Sequence, residues 1–217
     1  IITLCIGDLY ETRWKSSVFS KKLYCKQHGY DFIYVNKSLD KKRKPHWSKI
    51  KAIQQNLEKY DWIFYSDADA HFMNLDFKLE DVINKYSEDN FMIITKDNNM
   101  LNSGNFFIKN NSIAKQFLID SYNEFPSKPL PMITHKGEKV TMLLNDQYGI
   151  YINSIKDLYK NKIKFIPQRI INAYPCACCG EKYQAGDFLI HFVNHRRPTH
   201  NWGGDSDEPY KGIELAE

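Results

Sequence analysis

Short apolar runs alternate with amphipathic segments along the first part of the chain. The runs 1–6, 31–35 and 60–66 are rich in Ile, Val, Phe and Tyr, which predicts three buried strands. The segment 13–28 and the segment that begins at Pro45 repeat their apolar positions at helical spacing, which predicts two helices. This alternation is typical of βαβ units, so we expect a mainly parallel sheet flanked by helices.

The remainder of the chain continues the same pattern. Further strands are predicted over 91–95, 105–108, 162–167 and 187–194, and further helices over 113–125 and from Asn145. The polar segment 98–104 predicts a loop, and the proline-containing segment 126–138 predicts a second, longer one. Because the sequence contains no repeat or linker, we expect one domain over 1–217 that ends in a polar tail, 198–217.

Two carboxylates, one residue apart, end the third predicted strand. Asp67 and Asp69 directly follow the apolar run, and ligands of open α/β sheets bind beyond the carboxyl ends of strands. Neighbouring carboxylates repel each other and are costly to bury unless a cation lies between them. An isolated Asp-x-Asp is often an exposed turn, but the buried strand before this one favours a site for a hard divalent cation.

Composition and charge narrow the choice of protein class. The chain has 217 residues, of which 42% are apolar and 26% charged, as in a globular protein with a sizeable core. A net charge of +4 is too small to indicate nucleic acid binding, although it suits an anionic small substrate. The sequence shows no signal peptide and no apolar run long enough for a transmembrane segment. Two locations stay open: a cytoplasmic protein, or the lumenal domain of a trimmed membrane-anchored enzyme.

The cysteines suggest a competing metal site. Cys176 and Cys179, followed by His191 and His195, match the spacing of a Cys₂His₂ zinc site, with Cys178 in addition. The segment around His191 predicts a strand, however, and four residues of a strand span roughly 13 Å, too far to share one tetrahedral ion. The three cysteines are left open between a disulfide, a metal site and free thiols, while Cys5 and Cys25 are expected to be buried thiols.

Several short motifs, taken in order, resemble those of a known family. They are Trp47-Ser48-Lys49, Asp67-Ala68-Asp69-Ala70 with Asn74, Leu101-Asn102-Ser103-Gly104, Asn145-Asp146-Gln147, and His191-Phe192-Val193 with Arg196. From Ile1 to about Pro198, the chain resembles the galactosyltransferase, mannosyltransferase and xylosyltransferase family, glycosyltransferase family 34. This resemblance implies a GT-A fold, a single Rossmann-like α/β domain that binds a nucleotide-sugar. It also implies a retaining glycosyltransferase that uses Mn²⁺, or Mg²⁺ as a substitute. The donor would preferably be a UDP-sugar, with GDP-mannose as an alternative, and a hexosyl or pentosyl unit would pass to a glycan acceptor.

The resemblance also implies roles for individual residues. Asp67, Asp69 and His191 would be metal ligands, and Asp146 and Gln147 would be catalytic residues beside the anomeric carbon. The residues implied to bind the nucleotide or its phosphates are Thr3, Gly7, Lys49, Ser66, Ala68 and Arg196. Those implied to contact the donor sugar or the acceptor are Trp47, Asn102, Ser103, Gly104 and Asn194.

Some positions depart from the family pattern. Asn145 stands where relatives usually carry an acid, Asn194-His195 replaces a common Gly-Cys, and Arg196 replaces a common Lys. None of these changes touches the expected metal site. The change at Asn145 motivates an alternative function, a catalytically inactive nucleotide-sugar or carbohydrate-binding protein on the same fold. A nucleotidyltransferase would need a Gly-rich basic phosphate loop after the first strand, which residues 7–10 do not provide.

Overall fold

The computed structural model describes residues 1–98, 100–124, 131–133, 139–141, 145–177 and 180–193. For Met100, 131–133 and 139–141 the description covers the backbone alone. The predicted site residues Asn194 and Arg196 lie outside the described residues, as do Cys178, Cys179, His195 and the predicted tail 198–217.

The order of helices and strands follows the alternation expected from the sequence. The helices are α1 (Asp8–Arg13), α2 (Lys15–His28), α3 (Ser48–Asn56), α4 (Leu79–Tyr86), α5 (Ser112–Asn123), α6 (Asp146–Ser154) and α7 (Gln168–Ile171). The strands are β1 (Ile2–Leu4), β2 (Ile33–Val35), β3 (Trp62–Ser66), β4 (Ala70–Phe72), β5 (Met92–Asp97), β6 (Met100–Lys109), β7 (Pro131–Ile133), β8 (Lys139–Thr141), β9 (Ile163–Ile166) and β10 (Leu189–His191).

The central sheet contains six strands in the order β2-β1-β3-β6-β5-β9. Strand β1 is parallel to β2 and β3, and β5 is parallel to β9. Only β6 runs against its neighbours β3 and β5. The expected α/β architecture with a mainly parallel sheet flanked by helices is therefore confirmed.

Both faces of this sheet are buried. On one face, Ile94 of β5 packs in a cluster with Ile50 of α3 and Phe117 of α5. On the other face, Ile93 packs in a cluster that includes Leu79 of α4. Strands covered on both sides carry continuous apolar runs, which is why β3 and β5 could be recognised without a polar alternation.

The prediction of a loop over 98–104 is wrong, because strand β6 begins at Met100 and includes residues 100–104. Its polar side chains suggested a loop, yet Asn102 and Ser103 are buried. Both are hydrogen-bonded to residues distant in sequence, which offsets the cost of burying these polar groups. Partners of this kind are invisible to a local pattern.

Other boundaries also differ from the sequence prediction. Part of the loop predicted over 126–138 forms β7, which pairs with β8. The strand predicted over 187–194 is limited to Leu189–His191, and the helix predicted over 13–28 starts earlier, as α1 and α2. Strand β4 and helices α4 and α7 were not predicted. Among the described residues, no helix combines the length and the apolar character needed to cross a membrane.

Candidate active site

Two carboxylates and one imidazole meet beyond the end of β3. Asp67, Asp69 and His191 each offer a ligand atom, and these atoms lie within 4.8 Å of one another. Strand β4, which directly follows the aspartates, pairs with β10 so that Ala70 lies opposite His191. The backbone N–H of Phe192 also donates to the carbonyl oxygen of Asp69 at 2.9 Å. This antiparallel pairing brings together residues that are far apart in sequence.

The contacts of His191 bring acceptor atoms together when its ring is neutral. Its Nδ1 lies 2.7 Å from Oδ1 of Asn172, an acceptor, and this contact favours the neutral ring that carries its proton on Nδ1. The lone pair on Nε2 then faces Oδ1 of Asp69 at 3.2 Å and Oδ2 of Asp67 at 3.9 Å. Within the described residues, Oδ1 of Asp69 is buried without a hydrogen-bond partner. Three converging acceptors with one unsatisfied oxygen fit a divalent cation.

The two carboxylates differ in their electrostatic environment. Burial raises the pKa of Asp67 above its ordinary value. Burial acts in the same direction on Asp69, but the attraction of its carboxylate to the positively charged form of His191 and to Lys21 outweighs burial and lowers the pKa of Asp69. Asp69 therefore keeps its negative charge more readily than Asp67 does.

Strand β6 passes the three ligand atoms at Gly104, where a side chain would not fit. A Cβ atom at this position would lie 2.2 Å from Cε1 of His191 and 3.0 Å from Oδ2 of Asp67. The carbonyl oxygen of Gly104 accepts the backbone N–H of Asp67 at 2.7 Å. The absence of a side chain at this glycine thus allows the strand to approach the ligand atoms.

Lys49 is a buried counter-ion of the carboxylates of Asp67 and Asp146. Its Nζ lies 2.8 Å from Oδ2 of Asp146 and 3.2 Å from Oδ1 of Asp67, and it donates to the carbonyl oxygen of Ser103 at 3.0 Å. Burial alone would lower the pKa of Lys49, but the carboxylates of Asp146 and Asp67 outweigh burial and raise it. The structure pairs Lys49 with two carboxylates of the protein. Its implied contact with the diphosphate stays a prediction.

Helix α6 supplies the two residues implied to be catalytic. Asn145 caps this helix, since its side chain accepts the backbone N–H of Tyr148 at 3.0 Å. Asp146 is buried, whereas Gln147 is half-buried and its Oε1 accepts the backbone N–H of Ser103 at 3.1 Å. The departure from the family pattern at Asn145 therefore falls on a capping position that Asn fills well.

Asn102 connects strand β6 to the far side of the site. Its Nδ2 donates to the hydroxyl of Tyr174 at 2.7 Å and to Oδ2 of Asp97 at 2.9 Å, and its Oδ1 accepts the N–H of Gly104 at 2.8 Å. The ring of Tyr174 in turn packs edge-on against His191, with ring centroids 5.9 Å apart. The implied donor-sugar residues Asn102, Ser103 and Gly104 are thus adjacent to the proposed metal ligands.

Several residues implied to bind ligands occupy packing or turn positions. Thr3 and Ser66 are fully buried, and the Thr3 hydroxyl donates to the Ser66 carbonyl oxygen at 2.8 Å. Trp47 lies in the core and Ala68 packs in a small buried cluster. Gly7 starts helix α1 with a φ of 100°, which favours glycine. Direct contacts of these five residues with a ligand stay predictions.

Two buried polar residues near the site were missed from the sequence. Lys21 of α2 is fully buried, and its Nζ donates to the carbonyl oxygen of Ala70 and to the hydroxyl of Ser17. Burial lowers the pKa of Lys21 to about 7. Asn172, which holds Nδ1 of His191, follows α7. Both belong to segments that look ordinary in sequence, so no local signal marks them.

The competing zinc site is not supported. Cys176 is disulfide-bonded and so cannot serve as a thiolate ligand. His191 lies with the carboxylates of Asp67 and Asp69 instead. Cys5 and Cys25 are free and buried, as expected.

Comparisons with known proteins show which family the chain resembles. The family model described as the galactosyl transferase GMA12/MNN10 family matches residues 8–85 and 82–198. A probable alpha-1,2-galactosyltransferase, gmh1 of Schizosaccharomyces pombe, is 27% identical over 85% of this chain and 64% of its own length. A probable alpha-1,6-mannosyltransferase, MNN10 of Saccharomyces cerevisiae, is 24% identical over 78% of this chain and 52% of its own length. The chain thus spans between half and two thirds of these relatives.

A solved structure shows the same fold. A glycosyltransferase involved in the glycosylation of the major capsid of PBCV-1 superposes with a TM-score of 0.64. The two chains are 14% identical, and the match covers 89% of this chain and 93% of the other. At this identity the likeness establishes the GT-A fold alone.

Proposed function

The chain belongs to the galactosyl transferase GMA12/MNN10 family, and from this premise we propose that it is a metal-dependent, retaining glycosyltransferase. It transfers a hexosyl or pentosyl unit from a nucleotide-sugar, preferably a UDP-sugar, to a glycan acceptor. The observation that carries the proposal is the convergence of Asp67, Asp69 and His191, whose ligand atoms lie within 4.8 Å of one another.

These three residues hold Mn²⁺, for which Mg²⁺ can substitute. The two carboxylates and the imidazole suit Mn²⁺, and the buried, unsatisfied Oδ1 of Asp69 supplies the reason for a cation. When bound, such an ion stabilises the negative charge that develops on the diphosphate leaving group.

The protein positions these ligands with residues that do not touch the ion. Lys49 forms an ion pair with Asp67, and this pairing favours the ionised form of the Asp67 carboxylate. The same lysine also pairs with Asp146, so that the two carboxylates lie on either side of one ammonium group. Gly104 lets the backbone of β6 approach the ligand atoms. The donor sugar lies along this part of β6, where the segment from Asn102 to Gly104 is held in place by its bonds to Tyr174 and Gln147.

The reaction proceeds by attack on the face from which the diphosphate leaves. Asp146 is buried and paired with Lys49, so it is poorly placed to act as a nucleophile. Gln147 carries a primary amide, which is a poor nucleophile. The acceptor oxygen therefore forms its bond to the anomeric carbon as the bond to the diphosphate breaks, and a diphosphate oxygen takes the hydroxyl proton. The carbonyl oxygen of Gln147, held by the N–H of Ser103, stabilises the positive sugar.

The alternative is a binding protein on the same fold that does not turn over its ligand. Its motivation was Asn145, but this residue caps α6. A thermal-shift screen with UDP-galactose, UDP-glucose, UDP-xylose and GDP-mannose, with and without Mn²⁺, ranks the donors because binding stabilises the native state. Release of the free nucleotide from the best donor then separates the two functions. A ligand that stabilises the protein without any nucleotide release would favour the binding protein.

A further inference from the structure

The side chain of Asn172 contacts the His191 ring at Nδ1, the ring nitrogen that does not face the carboxylates. Oδ1 of Asn172 lies 2.7 Å from Nδ1 of His191 and also accepts Nδ2–H of Asn105 at 3.1 Å. Asn172 and Asn105 are both fully buried, and His191 is nearly so. In such an environment a hydrogen bond is strong and a wrongly oriented amide is costly.

Two strands of the central sheet hold the Asn172 amide. Its Nδ2 donates to Oγ1 of Thr95 on β5 at 3.1 Å. On β6, Asn105 donates its Nδ2–H to Asn172, and the Oδ1 of Asn105 accepts the hydroxyl of Ser66 at 2.8 Å. A chain of hydrogen bonds thus runs from the end of β3 to His191 and leaves the oxygen of Asn172 facing the ring.

We propose that Asn172 is a positioning residue of the metal site. It accepts the Nδ1 proton of His191, so that the lone pair of Nε2 faces Asp67 and Asp69. The inference rests on the proposed function, since it assigns to Asn172 the orientation of a metal ligand. Partners that orient a ligating histidine in this way usually contribute roughly 10–100-fold to metal affinity.

A purely structural role for Asn172 can be separated from this one. The backbone of Asn172 is tied to Gln168 by its own N–H at 2.8 Å and by its carbonyl oxygen at 3.0 Å. Substitutions of the side chain leave both bonds available. The end of helix α7 is therefore retained in side-chain variants, and their effects report on the side-chain contacts with His191, Asn105 and Thr95.

Titration with Mn²⁺ alone tests the proposal, with the free ion followed by electron paramagnetic resonance. Asn172→Ala should weaken Mn²⁺ binding roughly 10–100-fold, whereas Asn172→Asp should bind within a few-fold of the unmodified protein because a carboxylate still accepts the Nδ1 proton. Asn153→Ala is the matched control, since Asn153 is a fully buried asparagine with its own hydrogen bond to Gly149. Unchanged affinity in Asn172→Ala, or an equal loss in Asn153→Ala, would overturn the proposal.

A nuclear magnetic resonance experiment tests the same inference without activity. In ¹⁵N-labelled protein, metal-free or loaded with Mg²⁺, Nδ1 of His191 should carry a proton; an unprotonated Nδ1 would contradict the proposal. If Asn172→Ala does not fold, Thr95→Val removes the acceptor of the Asn172 amide at similar volume and should weaken Mn²⁺ binding as well. Failure of the unmodified protein to bind Mn²⁺ would sink the proposed metal site, while the protonation state of Nδ1 would still decide the role of Asn172.

Discussion

The side-chain nitrogen of Lys49 lies 2.8 Å from Oδ2 of Asp146, and both side chains are buried. The same nitrogen lies 3.2 Å from Oδ1 of Asp67. The ammonium group of Lys49 therefore links Asp146, which is implied to be catalytic, to Asp67, which is proposed to bind the metal. Its removal leaves the buried carboxylate of Asp146 and the partly exposed carboxylate of Asp67 without their counter-ion.

Lys49→Met should destabilise the protein by about 3–5 kcal/mol, since removal of one partner of a buried ion pair leaves an uncompensated charge. Urea unfolding gives the free energy directly. Lys115→Met is the matched control, because Lys115 forms an exposed pair with Glu58 at the same 2.8 Å distance and should lose far less. An equal loss of stability in the two variants would show that the buried pair contributes no more to stability than the exposed pair does.

Gly104→Ala should impair metal binding. The added methyl group would lie 2.2 Å from Cε1 of His191, so the ring or the strand must move. Gly149→Ala provides a control, because its Cβ would lie 2.1 Å from the carbonyl oxygen of Ser121, between helices α5 and α6. Both variants should be less stable, but only Gly104→Ala should lower the affinity for Mn²⁺ measured by titration. Unimpaired metal binding in Gly104→Ala would place the ion elsewhere.

Lys21 should make stability depend on pH above neutrality. Its pKa is lowered by burial from 10.5 to about 7, so between these values the unfolded chain binds a proton that the folded chain does not. Stability should rise across this window, by up to about 1.4 kcal/mol per pH unit. Lys21→Met removes this contribution, and Ser17 still donates to the carbonyl oxygen of Ala70. The free energy of unfolding of the unmodified protein, relative to that of the variant, should therefore increase as pH rises from about 7 to 10.5. A difference independent of pH would contradict the buried neutral lysine.

Gln147→Ala should slow transfer roughly 10²–10³-fold, as for the loss of one transition-state contact. Nucleotide affinity should change little, because the amide acts at the sugar and not at the phosphates. Nuclear magnetic resonance of the product from an α-linked donor should show an α-linkage in both proteins. A β-linked product would show inversion and would exclude the front-face mechanism.

Much of the architecture could be predicted from the sequence, since buried parallel strands carry continuous apolar runs. The strand that ends at Ser66 and the carboxylates of Asp67 and Asp69 were visible for this reason. The pattern failed at 100–104, where polar residues lie in β6 because partners distant in the sequence satisfy their hydrogen bonds.

The association of His191 with the carboxylates was available only from the family resemblance. It depends on the pairing of β4 with β10, and β4 has only three residues. Lys21 and Asn172 could not have been found at all, because their importance arises from burial against distant segments. Local patterns predict strands and carboxylates, while the groups that orient a site are fixed by tertiary contacts.

The most direct test of the account is turnover of the best nucleotide-sugar donor with and without divalent metal. Transfer should be lost in excess EDTA, return with Mn²⁺, and be absent from Asp69→Asn at any metal concentration. Urea unfolding of metal-free Asp69→Asn is the control that shows whether the variant folds. Full transfer activity in excess EDTA, or in Asp69→Asn, would contradict a metal-dependent site at Asp67, Asp69 and His191.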